Sequence, residues 1–130
     1  MDSVRALGAD VVIVVAHSGI DGGSSYDEAS TGVPTENFVG DLARGVPGID
    51  LIVYGHSHRE VADTVIGGAM LMQARNWARS VGVATLTLRR AGADWTLADR
   101  RGLTIPPAGR AEDRDVLVAT EAMHRETVRY

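Results

Sequence analysis

Two apolar runs dominate the first half of the chain. Asp10-Val-Val-Ile-Val-Val-Ala16 is unbroken and rich in β-branched residues, and Asp50-Leu-Ile-Val-Tyr54 repeats the pattern in shorter form. Continuous, non-alternating runs of this length predict strands buried on both faces, as in a parallel sheet covered by helices. Between them Phe38, Val39 and Leu42 recur at helical spacing. A helix is therefore predicted from a Thr35 cap through Arg44, stopped by Gly45, Pro47 and Gly48. Strand, helix and strand make a right-handed β-α-β crossover, which brings both strands' carboxyl ends to one edge of a sheet, where open α/β sheets place their sites.

The remaining pattern is of shorter elements. Ser3 to Leu7 reads as a short helix with Asp2 or Ser3 as cap and Gly8 as stop. Ser18 to Thr35 has no apolar period and is rich in Gly, Ser, Asp and Thr, which predicts a functional loop over a strand end. After His58 come short strands at Val61 to Ile66, Ala69 to Ala74, Val81 to Leu88 and Trp95 to Asp99. Gly67-Gly68 is a hairpin turn and Ala91-Gly92-Ala93 a second turn. Beyond Pro106-Pro107 a polar linker leads to a helix from about Glu112 to Arg129, with Val116, Ala119, Met123 and Val128 on its apolar side. The fold class expected is α/β.

Composition narrows the function classes. A chain of 130 residues has enough length for a core, and a domain of this size buries about 70% of the surface its unfolded chain exposes. Its net charge of −4 supplies no attraction for nucleic-acid phosphates or an anionic membrane, and two Trp, three Tyr and one Phe are too few for a base-stacking platform. No nucleic-acid polymer and no membrane are therefore expected as partners. The longest aliphatic run is far shorter than the roughly 20 residues that span a bilayer, and the first ten residues lack the basic and apolar segments of a secretory signal. With no cysteine, disulfides and thiolate chemistry are excluded, so any metal must sit on His, Asp, Glu, Asn or carbonyl oxygen.

Gly55-His56-Ser57-His58, directly after a buried strand, is the strongest chemical feature. In extended backbone, side chains two apart share a face, so His56 and His58 could address one ion, with Gly and Ser allowing a close approach. Taken by itself the tetrapeptide is equally a polar turn that holds two histidines. His17 tips the balance toward a metal, because it ends the neighbouring strand and brings three of the chain's four histidines to one sheet edge. His124, among Arg and Glu on the last helix, reads as solvated. Asp21 and Asp27 read as caps or turn formers and Glu36 and Asn37 as capping or surface residues near a helix start. Arg59 could pair with a phosphate, and Arg75-Asn76-Trp77 could touch a substrate base or ribose, though surface and packing roles are the plainer readings.

The run Gly8-Ala-Asp-Val-Val-Ile-Val-Val-Ala-His-Ser-Gly19, then Glu36-Asn37 with Leu42-Ala43, then Val46-Pro-Gly-Ile-Asp50 into Tyr54-Gly-His-Ser-His58, resembles the calcineurin-like metallophosphoesterases. Within them it is most similar to the bacterial 5′-nucleotidase and 2′,3′-cyclic-nucleotide 2′-phosphodiesterase branch. Asn76-Trp77, Val81-Gly82-Val83 and Met123-His-Arg-Glu-Thr127 extend the resemblance over most of the chain. It implies part of a four-layer α/β/β/α sandwich, with residues 1–108 as the C-terminal half of the catalytic domain and 109–130 as a linker helix. It also implies two divalent ions, zinc or manganese, a nucleotide or phosphoester substrate, and export to the periplasm or cell surface. His17 and His56 would ligate one ion and His58 the other.

The Asp-x-His, Gly-Asp and Gly-Asn-His motifs that supply the family's other ligands do not stand in this sequence. The resemblance therefore implies an incomplete, inactive portion holding three metal ligands and no catalytic residue. A half-sheet with an open edge would also self-associate. The alternative expectation is a non-catalytic metal-binding or self-associating α/β domain.

Overall fold

A computed structural model describes residues 2–130 of the chain. The first helix, α1 (Asp2–Ala6), lies within a residue of its expected place, while the expected cap, Asp2 or Ser3, falls outside the residues whose side chains are described. Then follow β1 (Ile13–Ala16), α2 (Glu28–Thr31), α3 (Val39–Gly45), β2 (Leu51–Tyr54), β3 (Val61–Ile66) and β4 (Ala69–Gln73). The long strands β5 (Val81–Ala91) and β6 (Asp94–Ile105) and the helix α4 (Arg114–Arg129) complete the chain. The class is α/β, as the pattern of apolar runs implies.

The first sheet has the order β1-β2-β4-β3. β1 and β2 pair in parallel from Ile13 with Leu51 to Ala16 with Tyr54, β2 and β4 are also parallel, and β3 runs antiparallel to β4 through the Gly67-Gly68 turn. Both turn glycines have positive φ. A Cβ on Gly67 would lie 1.9 Å from the Ala43 carbonyl oxygen, so the hairpin can press on α3 only because this residue has no side chain. β5 and β6 form a second, antiparallel sheet around Gly92, with a register shift between Thr87 and Leu88.

Two apolar layers hold these parts together. On one face of the first sheet Ile52, Tyr54, Ala69 and Leu71 pack against Val39 and Ala43 of α3. On the other face Leu51, Met70 and Met72 meet Ala84 and Leu86 of β5. The stacking is helix, sheet, sheet. α4 has no buried residue, so its expected apolar side, Val116, Ala119, Met123 and Val128, faces solvent. No helix among the described residues is long and apolar enough to cross a membrane.

Four expectations need correction. β1 is not buried on both faces: Ile13 and Val15 are 52% and 80% exposed, because β1 is an edge strand and the β5–β6 sheet does not extend over it. α3 begins at Val39, not at a Thr35 cap. The Ser18 hydroxyl donates to the Glu36 carbonyl at 2.6 Å and accepts from Phe38 N–H at 3.0 Å, which commits the preceding backbone to the loop. The loop itself contains the short helix α2, capped by Asp27 at one end and by left-handed Gly32 at the other. Finally, β6 continues to Ile105, well past Asp99, because each of its residues from Arg100 finds a partner on β5 until Pro106 removes the next donor.

Candidate metal centre

The site lies where β1 and β2 end side by side. His17 follows β1 directly, and the Gly55-His-Ser-His58 turn follows β2, so parallel pairing alone brings their backbones together. The rings of His17 and His56 meet edge to face, with centroids 5.2 Å apart. His58 is not in that group. Its ring lies 6.0 Å from the Trp77 ring, which the Arg79 guanidinium covers on a 4.7 Å approach.

The separation of His56 from His58 has a backbone cause. The tetrapeptide is not extended: His56 and His58 have φ of 82° and 55°, left-handed values that are costly for side chains with a Cβ. The rule that residues two apart share a face therefore does not apply here. Ser57, between them, donates its hydroxyl to Gln73 Oε1 at 2.8 Å, and Gln73 is 2% exposed at the end of β4. This buried amide anchors the strained turn to the neighbouring strand.

The loop after His17 is stitched down by the Glu36-Asn37 pair. Asn37 Oδ1 accepts from Gly19 N–H at 3.1 Å and its amide donates to the Gly23 carbonyl at 2.9 Å. A Cβ at Gly19 would fall 2.1 Å from that Oδ1, so only glycine allows the approach. Glu36 accepts from the backbone N–H of Ser25 at 2.5 Å and from its hydroxyl at 3.1 Å, and Glu36 Oε2 stands 3.5 Å from His56 Nε2. The Ser25 amide, together with its hydroxyl and His56, holds the Glu36 carboxyl below its ordinary pKa against the opposing effect of partial burial.

Beside the histidines opens a cleft of about 350 Å³, walled by Ile20, Asp21, Asn37, Tyr54, His56 and Arg59. Tyr54 lines it, and burial pushes its phenol up to about 12, with Arg59 acting against the shift and Asp21 with it. Asp21, expected to be a turn former, thus faces the cleft, as does Arg59. Asp27 only caps α2 and His124 is exposed on α4, both as expected. Trp77 is 75% exposed with φ of 58° in the turn after β4, so it lies outside the core and meets only surface partners such as His58 and Arg79.

Glu36, Asn37, Ser57 and Gln73 are the residues that pattern reasoning undervalued. Gln73 carried a signal, a lone amide closing the apolar run Ala-Met-Leu-Met. The donor set fits a divalent ion in part. His17 and His56 are adjacent imidazoles suited to zinc or manganese, whereas no group of three His, Asp or Glu among the described residues is gathered as a metal site.

A parallel sheet with histidines at two adjacent strand ends, backed by an antiparallel second layer, matches the fold of the calcineurin-like phosphoesterases. The chain is homologous to those enzymes. It is 32% identical over 98% of its length to the trifunctional nucleotide phosphoesterase protein YfkN of Bacillus subtilis, and 28% identical over 79% of its length to a 2′,3′-cyclic-nucleotide 2′-phosphodiesterase/3′-nucleotidase of Salmonella typhimurium. The crystal structure of calcineurin-like phosphoesterase YfkN from Bacillus subtilis superposes on 99% of the chain with a TM-score of 0.78 at 29% identity. The chain spans 9% and 17% of the two curated relatives and 41% of the crystallised one. No family model matches it.

Proposed function

We propose that the chain contributes to metal-dependent hydrolysis of nucleotide phosphoesters, of 5′-nucleotidase or 2′,3′-cyclic-nucleotide phosphodiesterase type. The observation that carries this is the meeting of His17 and His56 at the mouths of adjacent parallel strands. In this reading His17, His56 and His58 are metal ligands, His58 joining once its ring leaves Trp77. Two divalent ions, zinc or manganese, would polarise the phosphoryl group and supply hydroxide near neutral pH. The cleft beside His56 would receive the substrate, with Arg59 available to an anionic group. Residues 1–108 would serve as the catalytic part and 109–130 as a linker, in a protein of the periplasm or cell surface that takes part in nucleotide catabolism.

These 130 residues alone should be inactive. Three neutral imidazoles leave the charge of a metal pair uncompensated, and no carboxylate joins the His17–His56 pair in a three-donor group among the described residues. The test is to load the purified chain with manganese or zinc, assay nucleotide monoesters and cyclic diesters, and measure bound metal by elemental analysis. Bound metal that disappears in His17→Ala/His56→Ala, without turnover, is expected. Metal content unchanged in that variant would remove the metal assignment, and robust turnover would remove the inactivity.

The second reading, a self-associating domain, is favoured by one observation, the exposed apolar row of Ile13, Val15 and Val53 on the open side of the sheet. A second copy of the chain would cover it. A monomer by light scattering at high concentration would rule that out.

A further inference from the structure

We infer that Asp21 is a specificity residue that accepts hydrogen bonds from the vicinal hydroxyls of a ribose, so that the cleft beside His56 takes a ribonucleoside 5′-monophosphate in preference to a 2′,3′-cyclic nucleotide. The inference rests on the reading above that this cleft receives the substrate, and it chooses between the two substrate types named there.

Asp21 enters the cleft from the loop after β1, and Arg59 from the segment between β2 and β3. Both lie close enough to the Tyr54 hydroxyl for their charges to act on it, in opposite senses, yet among the described residues neither takes part in an ion pair. The backbone that carries Asp21 is fixed. The Gly19 carbonyl accepts from Val39 N–H at 3.0 Å, the Ile20 carbonyl from Gly40 N–H at 2.7 Å, and the Gly23 carbonyl from the Asn37 amide at 2.9 Å. A Cβ on Gly40 would fall 2.5 Å from that Ile20 oxygen, so α3 grips the loop where only glycine allows it. Asp21 therefore stands between pinned residues, which presets its place in the cleft.

A carboxylate in a cleft that takes an anionic phosphoester needs a reason. It repels the phosphate and can only accept hydrogen bonds, so the part of the ligand beside it must donate. Asn37 cannot do this work, because both ends of its amide are engaged by Gly19 and Gly23. Vicinal ribose hydroxyls present two O–H donors to the two oxygens of one carboxylate, the kind of contact by which an acidic residue reads ribose in dinucleotide-binding folds. The cleft, about 350 Å³, is of a size for small-molecule ligands. When the phosphate of a 5′-nucleotide lies at the His17–His56 edge, the diol is on the far side of the sugar and can meet Asp21. A 2′,3′-cyclic nucleotide has both of those oxygens esterified and brings a single 5′-hydroxyl. Arg59 then stays available to an acceptor on the base.

A nitrogen-15 NMR titration of the metal-free 130-residue chain with adenosine tests this without turnover. Adenosine is expected to shift the amides of Ile20 to Gly23 and of Arg59. Binding of 2′,3′-dideoxyadenosine should be about tenfold weaker, and 2′,3′-cyclic AMP should also bind more weakly than adenosine. Asp21→Asn, which keeps the shape but gives up one acceptor oxygen, should erase most of the gap between adenosine and its dideoxy analogue. The three ligands are compared on the unaltered chain, so a poorly folded variant does not shelter the idea. Shifts at the cleft with equal binding of adenosine and dideoxyadenosine, or with cyclic AMP bound as tightly as adenosine, overturn the role of Asp21 and leave the cleft as the substrate site. Adenosine shifts that miss the cleft, or no shifts at all, overturn both.

Discussion

β1 and β2 are neighbours with nearly the same composition, Ile-Val-Val-Ala beside Leu-Ile-Val-Tyr, yet they live in different environments. Paired residues show it directly: Ile13 is 52% exposed beside Leu51 at 4%, and Val15 is 80% exposed beside Val53 at 36%. On the α3 side both strands contribute, Val14 and Ala16 packing against the cluster that contains Ile52 and Tyr54. On the other side the β5–β6 sheet covers Leu51, Met70 and Met72 and packs on β3, but it leaves Ile13 and Val15 of β1 open. An apolar run thus states what a strand would bury, and its place in the sheet decides what is buried.

The largest test of that contrast is Ile52→Ala, which empties a fully buried position and should cost about 2–5 kcal/mol in urea denaturation. Gly67→Ala comes next. It drives a Cβ into the Ala43 carbonyl at a positive φ, and about 1–3 kcal/mol should be lost in the same assay. Gln73→Met removes the acceptor for Ser57 at the end of a buried strand. A loss of about 1–3 kcal/mol is expected, with faster amide exchange at His56 to His58 and none at α3.

Tyr54, the partner of Ala16 in the ladder, gives the contrast a pH signature. A phenol whose folded pKa is raised is favoured in its neutral form. Its contribution is complete below the unfolded value of 10.0 and is lost as pH rises toward about 12. The melting temperature should therefore fall across that window, and less so in Tyr54→Phe. The smallest effect belongs to Val15→Thr on the open face, which should change stability by no more than about 0.5 kcal/mol. A cost near that of a core position would mean that a second copy covers β1 in solution, and light scattering of the same variant would then show dissociation.

Much of the fold was legible along the chain. Both parallel strands, the helix between them, the Gly67-Gly68 hairpin and the final helix stand close to where periodicity and turn residues put them, since these depend on local preference. The length of β6 was not legible, because its later residues are held by partners on β5 and not by an apolar pattern of their own. At the site, topology was enough to bring His17 and His56 together, for two parallel neighbours must end on one edge. Glu36 was undervalued because its importance lies in Ser25 and His56, residues distant in sequence, and nothing local in a Glu-Asn pair announces them.

What the chain determined by itself was the alphabet of the site: strand ends, small residues at the close approaches, and histidines as the only soft nitrogen donors in a cysteine-free sequence. Only tertiary structure decided which histidines share a neighbourhood. The left-handed backbone at His56 and His58, anchored through Ser57 to buried Gln73, sends one ring toward His17 and Glu36 and the other toward Trp77. Dihedral strain of that kind is sustained by contacts between strands, so it has no expression in the spacing of four residues.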